Sequence, residues 1–202
     1  MGKMEPNHFT AIIGAVLLII AGTGLAVVEE PQQAPRVTSH KYHLTFPMAD
    51  GTETSAGTAN DGQTSEALVT VDTLNLTIVG VIVRWTDNQP RFTQAAMVSV
   101  QVKDPSGTQV GAGQGQDGGT GVVIPAGPMN EVPQDDNITA SSEARAWAKV
   151  LDNYPPVSNG TGGWKLTITV TRGGFHPIRS GSVDFTIDLT YQFYQADLEE
   201  VK

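Results

Sequence analysis

The stretch VDFTIDLTYQF, Val183 to Phe193, alternates apolar and polar side chains without a break. Val183, Phe185, Ile187, Leu189, Tyr191 and Phe193 share one parity; Asp184, Thr186, Asp188, Thr190 and Gln192 share the other. Successive side chains of a strand point to opposite faces, so the pattern predicts a strand with one face in a core and one in water. Just upstream, Trp164, Leu166, Ile168 and Val170 alternate in the same way with Lys165, Thr167, Thr169 and Thr171. Arg172 to Gly181, RGGFHPIRSG, reads as a hairpin loop between the two.

Further strands follow from the same rule. Tyr42, Leu44 and Phe46 alternate within Val37–Phe46, and Glu66–Asp72 is a short strand. Thr73–Trp85 changes parity: Leu74, Leu76 and Ile78 share one face, and Val79, Val81, Val83 and Trp85 the other. A bulge is expected at Val79-Gly80. Phe92–Lys103 places Ala96, Val98, Val100 and Val102 together, and Asp104-Pro105-Ser106-Gly107 has the residue order of a type I turn. Thr108 starts a return strand, and Val122-Val123-Ile124 is another short strand. Two polar stretches read as loops: Pro47–Ser65, and the glycine-rich Gly111–Gly121. Ser142–Leu151 is the one convincing helix after residue 36, capped by Ser142, with Ala144, Trp147, Ala148 and Leu151 on one face. One apolar and one polar face per strand predicts an all-β domain over 37–195, an antiparallel two-sheet sandwich of immunoglobulin-like or jelly-roll type with one short helix. Residues 196–202 read as a C-terminal tail.

Ahead of this domain, Phe9 to Val28 is an uncharged, mostly apolar run, FTAIIGAVLLIIAGTGLAVV. At about 1.5 Å per residue it is long enough to cross roughly 30 Å of hydrocarbon as a helix. Its strong apolar residues favour insertion by about 3–6 kcal/mol. Residues 1–8 form a short tail, and 29–36, EEPQQAPR, an extended linker that Pro31 and two carboxylates begin. Gly22, Gly24 and Ala26 give the span a thin face for packing against another helix. A retained signal-anchor is expected rather than a cleaved signal peptide, because the run is longer than an h-region and Glu5 nearly cancels Lys3. The C-terminal domain is expected outside the cytoplasm, and the acceptor triplets at Asn75, Asn137 and Asn159 agree with that address. The partners expected are the lipid bilayer, through residues 9–28, and a protein in or at the membrane.

The chain has no cysteine, which removes disulfides and thiolate metal sites. Its net charge of −9 argues against nucleic acid as a partner. No catalytic, cofactor or metal constellation stands out. Gly113–Gly118 formally matches GxGxxG but lacks the strand-before, helix-after context of a dinucleotide site. His40 and His43 fall on opposite faces of a strand, and His8 and His176 lie elsewhere. Asp50, Glu53, Asp61, Asp117, Asp135 and Asp136 are loop carboxylates without the order of a calcium loop. Trp85, Trp147 and Trp164 share parity with apolar neighbours, as core or rim residues do.

The reading is a non-catalytic, membrane-anchored binding, assembly or accessory-subunit protein with no cofactor, using the loops at 47–65, 111–121 and 172–181 for contact. An N-terminal hydrophobic helix followed by a β-domain resembles, in architecture, archaeal pilins and the anchored sandwich proteins of the archaellum motor. That likeness implies a subunit or anchor of a cell-surface filament, although Gly2-Lys3 does not give the basic-Gly order of a prepilin processing site. A calcium-dependent carbohydrate-binding module is the third reading.

Overall fold

A computed structural model describes residues 38–88, 95–172 and 181–202. The predicted membrane span, with Gly22, Gly24 and Ala26, lies outside the described residues, as do His8 and His176. Among the described residues no helix is long and apolar enough to cross a membrane.

The strands are β1 His40–Thr45, β2 Met48–Asn60, β3 Thr64–Val71, β4 Leu76–Asp87, β5 Met97–Lys103, β6 Gln109–Gly115, β7 Val122–Pro128, β8 Asp136–Ala140, β9 Gly162–Thr171, β10 Ser182–Tyr194 and β11 Asp197–Glu200. One helix, α1, spans Glu143–Asn153. Eight strands make two four-stranded antiparallel sheets, ordered β2-β10-β4-β7 and β3-β9-β5-β6. The two sheets pack face to face, as the predicted sandwich requires. Apart from β5 to β6, each connection between these eight strands passes from one sheet to the other. The predicted hairpin between β9 and β10 is therefore replaced by a crossover, with β9 between β3 and β5 and β10 between β2 and β4.

The core fills from alternate positions of both sheets. Val81, Val83, Ile187 and Leu189 of one sheet and Val98, Trp164, Leu166 and Ile168 of the other are fully buried. Each such side chain contributes about 1.5–3 kcal/mol by leaving water. The buried Trp164 indole donates to the Gly160 carbonyl at 2.8 Å, so its one polar atom is satisfied.

Two stretches expected as loops are strands. Pro47–Ser65 contains β2, which pairs with β10 along its whole length. Its core-facing positions are Ala49, Gly51, Glu53, Ser55, Gly57 and Ala59, which hold no large apolar group. The missing volume comes from β10: a Cβ on Gly57 would lie 2.6 Å from the Phe185 ring, and one on Gly51 would strike the Tyr191 ring. Gly111–Gly121 likewise opens with β6. Gly111, Gly113 and Gly115 form its inner face, and Ile124 and Val122 of β7 occupy the space their side chains would need.

The parity change in β4 falls earlier than expected. The register against β10 shifts at Leu76–Ile78, and Thr77 turns inward, 5% exposed, with its hydroxyl donating to the Gln192 carbonyl. Ile78 consequently faces solvent. A second irregularity lies between Ile78 and Gly80 on the β7 side.

A smaller sheet, ordered β11-β1-β8, carries α1 on one face. Tyr42, Leu44, Phe46, Ile138, Ala146, Val150 and Tyr194 form its core. The segment 196–202, expected as a tail, thus contains a strand, with Leu198 opposite Leu44. The Ser142 cap is present: its hydroxyl accepts from the Arg145 N–H. The buried helix face is Ala146 and Val150, with Trp147 and Tyr154 flanking, and Leu151 is exposed. The predicted face, with Ala144, Ala148 and Leu151, is rotated from this one.

Candidate interaction surface

Strand direction sorts the connections into two ends. The chain enters through β1 and finishes in β11 beside it, and the Val201 N–H bonds the Lys41 carbonyl. The small sheet therefore lies at the end of the sandwich where β2 begins and β10 finishes. At the opposite end, the turn 61–63, the residues after β4, the loop 116–121 and the flanks of 172–181 come together. Asp61 N–H donates to Gly181 O, Gly62 N–H to Val170 O, Trp85 N–H to Gly118 O and Asn88 N–H to Ser182 O.

An ion cluster ties this loop end. The Arg172 side chain is 7% exposed, and both terminal nitrogens donate to Asp87 at 2.7 Å. Asp61 Oδ2 lies 3.9 Å from its Nε, and Asp87 also accepts from the Ala96 N–H. A planar guanidinium matches a carboxylate in two parallel bonds, so the ends of β4 and β9 are held in one geometry. Nothing in the sequence pointed to this cluster, since its members are up to 111 residues apart and share no motif.

On the outer face of β10, Asp184 accepts from Thr58 and Asn88, and Asp188 from Thr54 and Arg84. The Asn88 amide, and then the Thr58 hydroxyl, hold the Asp184 carboxyl below the usual carboxylate range. Toward the β7 edge this face turns apolar: Ile78 and Val123 are 53% and 67% exposed, with Pro125 beside Gly80. A shallow groove of about 490 Å³ runs over Gly80 between Ile78, Thr190, Gln192 and Asp50.

The other predicted residues are placed as follows. Gly113 and Gly115 of the GxGxxG match lie on β6, and Gly118 sits beneath the Trp85 carbonyl. Trp85 and Trp164 are core residues and Trp147 is partly buried against the small core. His40 and His43 point to opposite faces of β1, and His40 Nδ1 pairs with Glu200 at 2.5 Å. Among the described residues no three His, Asp or Glu side chains come together as metal ligands would. Asp50 accepts from Gln192 and Glu53 from the Tyr191 hydroxyl. Asp117 closes its own turn on Gly119 and Thr120; the Thr120 hydroxyl is the main cause of its lowered pKa. Asp135 is exposed, and Asp136 accepts from the Tyr154 hydroxyl.

The acceptor asparagines differ. Asn75 adopts φ 58°, and its amide donates to Tyr194 O and accepts from Val157 N–H. Asn159 donates to Met129 O. Asn137 is exposed on β8, opposite His43, with no described side-chain partner.

No family model and no curated protein matches the chain. Among solved structures it is similar to that of infectious bursal disease virus, Gx strain, at 11% identity and TM-score 0.32, covering 79% of this chain and 37% of that one. The Gt strain structure matches at 13% identity and TM-score 0.25, covering 88% and 45%. The chain spans less than half the length of the viral chains it matches.

Proposed function

We propose that this protein is a single-pass membrane protein, held by residues 9–28, whose sandwich is a jelly roll displayed outside the cytoplasm for binding or assembly rather than catalysis. The strand order β2-β10-β4-β7 facing β3-β9-β5-β6 supports the jelly-roll half of this reading. The polarity of the domain carries the rest. The chain enters the domain at Thr38, at the small-sheet end, and the connections at 61–63, 116–121 and the flanks of 172–181 lie at the other, tied by Arg172. Loops held on a rigid scaffold are where binding usually sits. The partner would be a protein in or at the membrane, and the role that of an accessory subunit.

The test is alkaline carbonate extraction of native membranes combined with protease treatment of intact cells. The reading expects the full-length chain to stay in the pellet and its C-terminal domain to be cut from outside. Recovery in the supernatant, or protection of the domain in intact cells, would contradict it.

A further inference from the structure

We propose that the free edge of β2 adds, antiparallel, to the same edge of a second copy of this chain, joining two four-stranded sheets into one. This deepens the assembly reading by naming its partner, and it rests on that reading.

Three observations carry it. First, the orientation of the backbone is known. Gln195 N–H donates to Pro47 O and Asp61 N–H to Gly181 O, so odd-numbered residues of β2 face β10. Even-numbered residues therefore face away; Thr58 O accordingly takes the Ser65 hydroxyl. The N–H and C=O groups of Asp50, Thr52, Thr54 and Ala56 have no partner among the described residues.

Second, this edge lacks lysine, proline and a bulge; its one inward-pointing charge, Glu53, is taken by the Tyr191 hydroxyl. A long strand edge without lysine, proline or a bulge is a template for another strand. β2 has 13 residues with no Lys, Arg or Pro, and it pairs with β10 without a register shift. The β7 edge, by contrast, carries Pro125 and Pro128, and β6 is a seven-residue strand.

Third, the edge can meet its own copy without setting like charges opposite each other, for example about Thr54. A two-fold axis at Glu53 would set two carboxylates directly opposite, which is unfavourable. An axis at Thr54 sets Thr54 against Thr54, Thr52 against Ala56, Glu53 against Ser55 and Asp50 against Thr58. No like charges face each other. The Thr58 hydroxyl stays with Asp184, so the Asp50–Thr58 pair adds backbone contact only. The Thr54 pair and both Thr52–Ala56 pairs can then exchange two backbone bonds each.

Because the chain has no cysteine, one introduced thiol reports on one contact. Facing residues of such a ladder have Cα atoms about 5.5 Å apart, within disulfide reach. The experiment oxidises full-length Thr54→Cys in detergent and compares it with Gln101→Cys on the outer face of β5. Cross-linked dimer from Thr54→Cys, at least fivefold above Gln101→Cys, is expected. Ala56→Pro in the Thr54→Cys background removes only an edge-facing N–H; it should abolish the cross-link and leave the melting temperature within about 2 °C. Equal cross-linking at both positions overturns the proposal, as does a cross-link that survives Ala56→Pro. Carbonate extraction of the same variants reads the membrane anchor separately, so failure of pairing and failure of anchoring are distinct results.

Discussion

Replacing Gly113 by Ala would separate two accounts of residues 111–121 by the sign of the effect. In a flexible loop, Gly→Ala stabilises by about 0.4–1 kcal/mol, because the unfolded chain loses freedom. On β6 the new Cβ would lie 2.5 Å from Val122 Cγ1 and 3.2 Å from Ile124 Cγ1. Overpacking of that kind costs about 1–3 kcal/mol. Subtracting the gain leaves up to about 2.6 kcal/mol of destabilisation, with a midpoint of about 1.3, or a melting temperature lower by roughly 3–5 °C at that midpoint for a domain of this size. Gly119 is the control, since its Cβ would meet only Asp117 Oδ1, at 3.4 Å; Gly119→Ala should be neutral or slightly stabilising. Trimming the obstacle completes the cycle. In a Val122→Ala background, Gly113→Ala should lose most of its cost, because the two sites couple through one contact. Thermal melts by circular dichroism read the parent and the four variants. A Gly113→Ala variant that melts at or above the parent temperature would refute the close packing of β6 on β7.

Other outcomes follow from the same geometry. Arg172→Gln should cost about 2–3 kcal/mol in denaturant titration, below the ~3–5 kcal/mol of a fully buried pair because Asp87 is 31% exposed; a loss under 1 kcal/mol would mean that the cluster does not hold the loop end. Asp117 and Asp184 have lowered pKa values, so their stabilisation is present above the ordinary carboxylate pKa of about 3.9 and is lost as pH falls through the depressed values. Burial raises the Tyr42 and Tyr194 pKa values, and the Asp136 hydrogen bond raises that of Tyr154; their contribution holds below about pH 10 and fades above it. Melting temperature against pH should show both limbs, and Asp184→Asn should flatten the acid one; an unchanged acid limb would count against the Asp184 network. If the domain is exported through a glycosylating pathway, mass spectrometry of the native protein should find glycan at Asn137 and not at Asn75, whose amide is engaged at both ends; the reverse occupancy would contradict these side-chain positions.

What could be read in advance follows a physical division. β4, β5, β9 and β10 carry large apolar residues every second position, and periodicity finds strands through that bulk. β2 and β6 line the same core with Gly, Ser, Ala and one Glu, Glu53, so their inner faces carry no apolar signal. Their trace is different: threonine at the even positions 52, 54 and 58, with Ala56 between, and glycine at every second residue in Gly111, Gly113 and Gly115. Both are period-two patterns, legible only once the partner that fills the gap is known. The α1 face was misplaced for a related reason, since Leu151 is the more hydrophobic residue but Ala146 and Val150 fit against Tyr42 and Leu44. The loop-end cluster leaves no sequence trace because four crossings between the sheets separate Asp61 from Arg172.

Amide hydrogen exchange along Met48–Asn60, followed by NMR in dilute solution, tests the two-sheet architecture most directly, because β2 is the strand that its own side chains do least to announce. Gly51, Glu53, Ser55, Gly57 and Ala59, whose N–H groups face β10, should exchange slowly, in register with Leu189 and Ile187 opposite. Exchange at all five at the rate of an unstructured peptide would contradict the fold.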